Sequence, residues 1–112
     1  MAFEVFKNDS GKFYFNLKAS NGQVILSSQG YAAKTGAMNG VQSVIKHAAN
    51  DANFERKEAK NGTVFFTLKA SNGQVIGKSQ MYKAATGMEN GIASVKKNAT
   101  ADAAVKDLTV AS

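Results

Sequence analysis

The nine residues LKASNGQVI occur twice in this 112-residue chain, at 17–25 and again at 68–76. Whatever structure that run adopts must be built twice in a short chain, and this limits the fold more than any other feature. Sliding the chain by the same 51 residues brings Phe3-Glu4 onto Phe54-Glu55, Phe15 onto Phe66, Ser28-Gln29 onto Ser79-Gln80 and Tyr31 onto Tyr82. Further along, Asn39-Gly40, Ser43-Val44 and Asp51 meet Asn90-Gly91, Ser94-Val95 and Asp102. The shift also carries Phe54 onto Val105, so a truncated third copy of the opening segment follows the second repeat.

Within each unit the hydrophobic pattern names the elements. In FYFNLKA, Phe13, Phe15, Leu17 and Ala19 alternate with Tyr14, Asn16 and Lys18, the signature of a half-buried strand. Asn21-Gly22 follows, a dipeptide suited to the two positive φ angles of a type I′ hairpin turn. A two-residue loop sets Ala19 opposite Val24, Lys18 opposite Ile25 and Leu17 opposite Leu26. From Thr35 the period changes to that of a helix, with Ala37, Val41, Val44 and Ala48 on one stripe and Met88, Ile92, Val95 and Ala99 on its counterpart. Thr35 and Thr86 are the expected N-caps, and Thr86 with Glu89 has capping-box spacing. Gly40 and Gly91 fall inside these helices at a cost of about 1 kcal/mol relative to alanine, which close packing of helix on sheet would justify.

A hydrophobic content of 44% in 112 residues supports one core. An opening strand (Phe3 to Lys7, then Phe54 to Glu58), a hairpin and a helix make a marginal core alone. Two units that share a sheet double the buried area and leave two edges in place of four. The expected fold is therefore α+β: two tandem β3α repeats, residues 1–52 and 53–112, forming one antiparallel sheet covered on one face by two helices, with a pseudo-twofold axis. Val105 to Val110 supplies a last strand. The expected state is a monomer, a fused pseudo-dimer, with a homodimer as the alternative.

LKASNGQVI followed by GYAAKTGAMNGVQSVIKHAA, and its partner MYKAATGMENGIASVKKNA, resemble the YegP-like family of small bacterial proteins, over nearly the whole chain and in both copies. The resemblance implies repeats of a β3αβ unit assembled into one sheet with swapped C-terminal strands. It implies no activity, so it carries over no catalytic or binding residue.

The residues themselves point away from catalysis. With no cysteine there is no disulfide, no thiolate nucleophile and no cysteine-based zinc site. His47, the only histidine, has no evident orienting partner and reads as a surface or capping residue. Glycines occur in turns and at helix starts, TGAMNG and TGMENG, and not in phosphate loops; Glu89 already competes with any anion at the second helix start. No catalytic residue, metal or cofactor is expected. The opening MAFEVFKNDSGK lacks a signal-like apolar run and no stretch is long enough to span a membrane, so the cytoplasm is the expected location.

Two surfaces remain as candidates for binding. The sheet face opposite the helices is expected to carry Tyr14, Asn16, Lys18, Ile25 and Ser27 in one copy, and Phe65, Thr67, Lys69, Ile76 and Lys78 in the other. Aromatics among lysines suit weak, salt-dependent binding of RNA or single-stranded DNA. Against that, strands favour aromatics in any case, and Arg56 is the sole arginine among fourteen basic residues that outnumber eight acidic ones for a net charge of +6. The outer helix faces repeat Asn39, Ser43 and Lys46 as Asn90, Ser94 and Lys97, either a binding surface or a remnant of duplication. Tyr31 and Tyr82, beside Gln29 and Gln80, are expected to plug the strand-to-helix corners. The functional expectation is a non-enzymatic binding or structural module, with nucleic-acid binding as the alternative.

Overall fold

The computed structural model describes residues 2–19 and 21–109. The elements run β1 (Ala2–Lys7), β2 (Phe13–Lys18), β3 (Val24–Ser27), α1 (Lys34–His47), β4 (Phe54–Glu58), β5 (Val64–Lys69), β6 (Val75–Lys78), α2 (Ala85–Asn98) and β7 (Ala104–Asp107). All seven strands join one sheet in the order β4-β5-β6-β3-β2-β1-β7. Both helices pack on one face of it, α1 against β2 and across to β6, α2 against β5 and across to β3. The pseudo-twofold passes through the centre, where β3 and β6 pair antiparallel by a single bridge, Ser27 with Lys78.

The sheet is mixed and not wholly antiparallel, because β7 lies parallel on β1 with Phe3 opposite Val105 and Glu4 opposite Lys106. Symmetry supplies the reason. Leaving α1, the chain enters β4, the outer neighbour of β5. Leaving α2 in the same way, it heads for the twofold-related place beside β2, which β1 already fills. The last strand keeps the direction that place demands and settles one position further out, parallel to its occupant. It is shorter than expected. Asp107 Oδ1 accepts hydrogen bonds from the Thr109 N–H (2.8 Å) and hydroxyl (2.5 Å), a turn that ends the strand; Val110 lies outside the described residues.

The predicted apolar stripes form the core. Ala37, Val41, Val44 and Ala48 of the first helix, and Met88, Ile92, Val95 and Ala99 of the second, are all buried against Phe3, Phe15, Leu17, Leu26, Phe66 and Leu68. Tyr31 and Tyr82 plug the corners as expected. Tyr31 exchanges two backbone hydrogen bonds with Phe13 (2.7 and 2.8 Å), and its ring stacks on Phe15 at 6.4 Å. The helical glycines are explained by these rings. A Cβ on Gly40 would lie 2.6 Å from Tyr31 Oη and 2.7 Å from the Phe15 ring, so the tyrosine occupies the space that a side chain would need.

Two local expectations are corrected. The hairpin turn is not type I′. Among the described residues only glycines have positive φ, Gly22 at 84°, while the Asn21 side chain accepts from the Gln23 N–H. Hydrogen bonds from Gly22 N–H to Ala19 O and from Ala19 N–H to Gln23 O (both 2.9 Å) close a three-residue loop, and its Ser20 lies outside the described residues. The register then contains a bulge: Lys18 faces Val24, Leu17 faces Leu26, and Ile25 is the extra residue between them. The second copy repeats this with Lys69 facing Val75. The caps are also different. The helices start at Lys34 and Ala85 behind Ala33 and Ala84, with no side-chain cap at either. Glu89 is unavailable for a capping box because Arg56 holds it, Nε to Oε2 at 2.5 Å and Nη2 to Oε1 at 2.9 Å.

Candidate functional site

The bulge decides what the open face of the sheet carries. Because Ile25 is inserted beside Leu26, both side chains turn into the core, where they are 4% and 0% exposed. Ile76 follows at 6%. Neither isoleucine belongs to the open face, and their expected places go to Val24 and to Val75, which is 37% exposed.

The other expected open-face residues lie together in rows set by strand register. The central row crosses from Glu4 through Asn16, Ser27 and Lys78 to Thr67 and Glu55. On one flank Tyr14 stacks on Phe6, centroids 5.7 Å apart, and its hydroxyl accepts a hydrogen bond from the Asn8 amide at 3.2 Å. In the other repeat the Lys78 ammonium sits 4.9 Å above the Phe65 ring. Lys18 pairs with Glu4 at 3.0 Å, and Lys57 and Lys69 converge on Glu55 Oε1 at 3.1 and 3.2 Å. The two ammonium groups, that of Lys57 foremost, hold the Glu55 carboxyl below its usual range. Glu4, Phe6, Lys57 and Lys106 belong to this face too. Their signal was present in the alternation of Phe3-Glu4-Val5-Phe6, once the opening strand is given the same facing as its neighbour.

The outer helix residues divide by role. Asn39, Lys46, Asn90 and Lys97 are exposed, whereas Ser43 and Ser94 are half-buried and engaged. His47 Nδ1 lies 2.8 Å from the Ser43 carbonyl and its Nε2 lies 3.2 Å from the Ser71 N–H, the pair of contacts that the Nδ1–H tautomer makes. Asn98, the counterpart of His47, donates its amide to the Ser94 carbonyl at 2.8 Å and lies 3.2 Å from the Ser94 hydroxyl. His47 therefore satisfies a helix-end carbonyl, the capping role its position suggests.

Two features had no counterpart in the pattern of single residues. Between α2 and the β2–β3 hairpin lies a cleft of about 360 Å³ reached by Asn90 and Ser94. At the β4 edge, Arg56 joins Glu89 to Asp51, its Nη2 3.2 Å from Asp51 Oδ1, and Lys96 Nζ approaches the same oxygen at 2.7 Å. Hydrogen bonds from Lys96 and then Arg56 lower the Asp51 pKa, and that from Arg56 lowers the Glu89 pKa. Hydrogen bonding first to Glu89 and then to Asp51 raises that of Arg56. No helix among the described residues is long and apolar enough to cross a membrane.

Comparison with known proteins agrees with this architecture. Residues 8–55 and 59–107 each match the family described as a domain of unknown function, DUF1508. The UPF0339 protein YegP of Escherichia coli K12 is 48% identical over 107 residues, 96% of each chain. The solution structure of a UPF0339 protein from Shewanella oneidensis superposes with a TM-score of 0.91 at 44% identity, covering 96% of this chain and 91% of that one. The solution structure of E. coli YegP, described as a protein of unknown function, gives the same TM-score at 45% identity over 99% of this chain and 95% of that one. With two family matches in tandem and a shared fold from end to end, this chain belongs to the YegP-like, UPF0339 family of duplicated α+β proteins of unknown function.

Proposed function

We propose that this chain is a non-enzymatic binding module of the cytoplasm that presents its open sheet face to an acidic protein surface. The observation that carries the reading is the charge of that face. Lys18, Lys57, Lys69, Lys78 and Lys106 share it with only Glu4 and Glu55 among the described residues. Such a surface steers an anionic partner toward itself. The twofold presents similar halves side by side, so one partner meets the same lysine positions, 18 and 69, on both sides of the centre.

A protein partner fits better than a nucleic acid. Base stacking needs open aromatic faces, yet Tyr14 is stacked on Phe6 and Phe65 lies under Lys78. Arg56 points to the opposite side of the sheet, bound to Glu89 and Asp51. Both ring nitrogens of His47 are committed to backbone groups, which favours a structural role over general-base chemistry.

Amide-shift mapping against fractionated cell extract tests the proposal. Perturbations centred on Lys18, Lys69 and Lys78 in a protein-containing fraction are expected, with loss of the response in Lys69→Glu/Lys78→Glu. Oligothymidylate at low and physiological salt is expected to bind weakly or not at all. Tight binding with a steep salt slope would replace the protein partner by a nucleic acid. A substrate turnover abolished by His47→Ala would overturn the non-enzymatic reading.

A further inference from the structure

We propose that the cleft between α2 and the β2–β3 hairpin binds a small, neutral, polyhydroxylated ligand of the sugar class. At about 360 Å³ it falls at the small end of the volumes that hold ligands. Four side-chain amides line it, Asn21, Gln23, Gln80 and Asn90, together with Ser94 and Tyr82. Its described lining carries no charge, although the chain has fourteen basic and eight acidic residues. A charged ligand would therefore meet no counter-ion here. A primary amide offers donor and acceptor side by side, the arrangement that adjacent hydroxyls, each giving and taking a hydrogen bond, match best. Gln23, Gln80 and Asn90 are all exposed, so a ligand reaches these amides without displacing the core.

The second repeat-related position is built differently. The pseudo-twofold places it between α1 and the β5–β6 hairpin, and there His47 spans the gap from the Ser43 carbonyl to the Ser71 N–H. In α2 the same position holds Asn98, whose shorter side chain turns back to Ser94 on its own helix. One difference between the repeats thus bridges one cleft, while at the other Asn98 keeps to its own helix. The site lies on the helix side of the sheet, so it stands or falls separately from the lysine-rich open face.

Titration of the isotope-labelled full chain with glucose, ribose and maltose, followed through backbone and side-chain amide resonances, tests the assignment. Saturable shifts are expected for at least one sugar at the Gln23, Gln80 and Asn90 amides and at Gly87 and Gly91, with Tyr14 and Lys78 unmoved. Asn98→His, which places an imidazole where the other repeat carries His47, is expected to weaken binding at least about tenfold. Asn90→Asp, at an exposed position that leaves the core untouched, is expected to weaken it as much. No saturable shift with any of the three sugars, shifts confined to the open face, or binding indifferent to both variants would overturn the proposal.

Discussion

Thr67 occupies the central row of the open face yet is only 5% exposed, and its hydroxyl has no hydrogen-bond partner among the described residues. A buried hydroxyl left unpaired is costly, and replacing it by a methyl of the same shape removes the cost. Thr67→Val is therefore expected to raise stability by about 1 kcal/mol, read from urea denaturation. Gly40 and Gly91 make the opposite case. In an open helix, alanine would gain about 1 kcal/mol over glycine; here its Cβ meets a tyrosine, and overpacking of about 1–3 kcal/mol wins. Both Gly→Ala variants are expected to melt lower. Tyr82→Phe should partly relieve Gly91→Ala, because it removes Tyr82 Oη, the nearest atom there, while the ring Cζ stays at 2.8 Å. Tyr31→Phe should likewise relieve Gly40→Ala only in part, since the Phe15 ring remains at 2.7 Å. The need for these glycines was legible, because a glycine beside an apolar stripe has few other uses. The burial of Ile25 and Ile76 was not. Strict alternation puts Ile25 on the face of Lys18, and only the three-residue loop, with Gly22 at positive φ and Asn21 not, inserts the bulge that turns it inward.

At the scale of elements, the two opening strands have diverged in step with what covers them. Beneath β7, Val5 is fully buried, with Met38 and Ile45 packed partly buried against the core; shifting by 51 residues turns these into Arg56, Glu89 and Lys96 at β4, where no further strand pairs among the described residues. Charge at an open edge discourages pairing with another chain. The triple variant Arg56→Val, Glu89→Met, Lys96→Ile is expected to self-associate in sedimentation analysis at concentrations where neither Glu89→Gln nor the parent chain gains mass. The covering strand is itself tied down by an ion pair, Lys34 Nζ to Asp107 Oδ2 at 2.8 Å. That bond, with help from Thr109, holds the Asp107 carboxyl at about 2, against 3.8 for the free group. A carboxyl whose pKa is lowered on folding stabilises the fold fully above its unfolded value, and the effect is lost as pH falls toward the folded one. The β7 contribution should therefore fade between about pH 3.8 and about 2, and Asp107→Asn should show a flatter loss of stability across that interval. The helical stripes were legible because burial on one side imposes a 3.6-residue period. The caps were not, since Thr86 and Glu89 have the right spacing and a long-range arginine competes successfully for the glutamate.

Duplication made the whole molecule legible, but only symmetry combined with an already occupied place accounts for the parallel last strand. What binds the halves is not the central ladder. β3 and β6 are joined by the one Ser27–Lys78 bridge, so the join depends on side chains crossing it. Leu26 of the first repeat fills the space that a side chain on Gly77 of the second would take, 2.7 Å from the position of its missing Cβ. The first helix reaches across to β6 and β5, and the second to β3 and β2. Residues 1–52 by themselves would keep a three-stranded meander and a helix while stripping the cover from Ile25, Leu26 and the far side of α1, which leaves too little buried area to offset the entropy of ordering the chain. Each fragment, 1–52 or 53–112, is accordingly expected to show no cooperative thermal transition at micromolar concentration. Mixing the two should restore the amide spectrum of the intact protein, because the contacts across the twofold do not require a covalent link. A monomeric, cooperatively melting 1–52 fragment would mean that each repeat owns a sufficient core, and the crossing helices would then be packing on a fold already made.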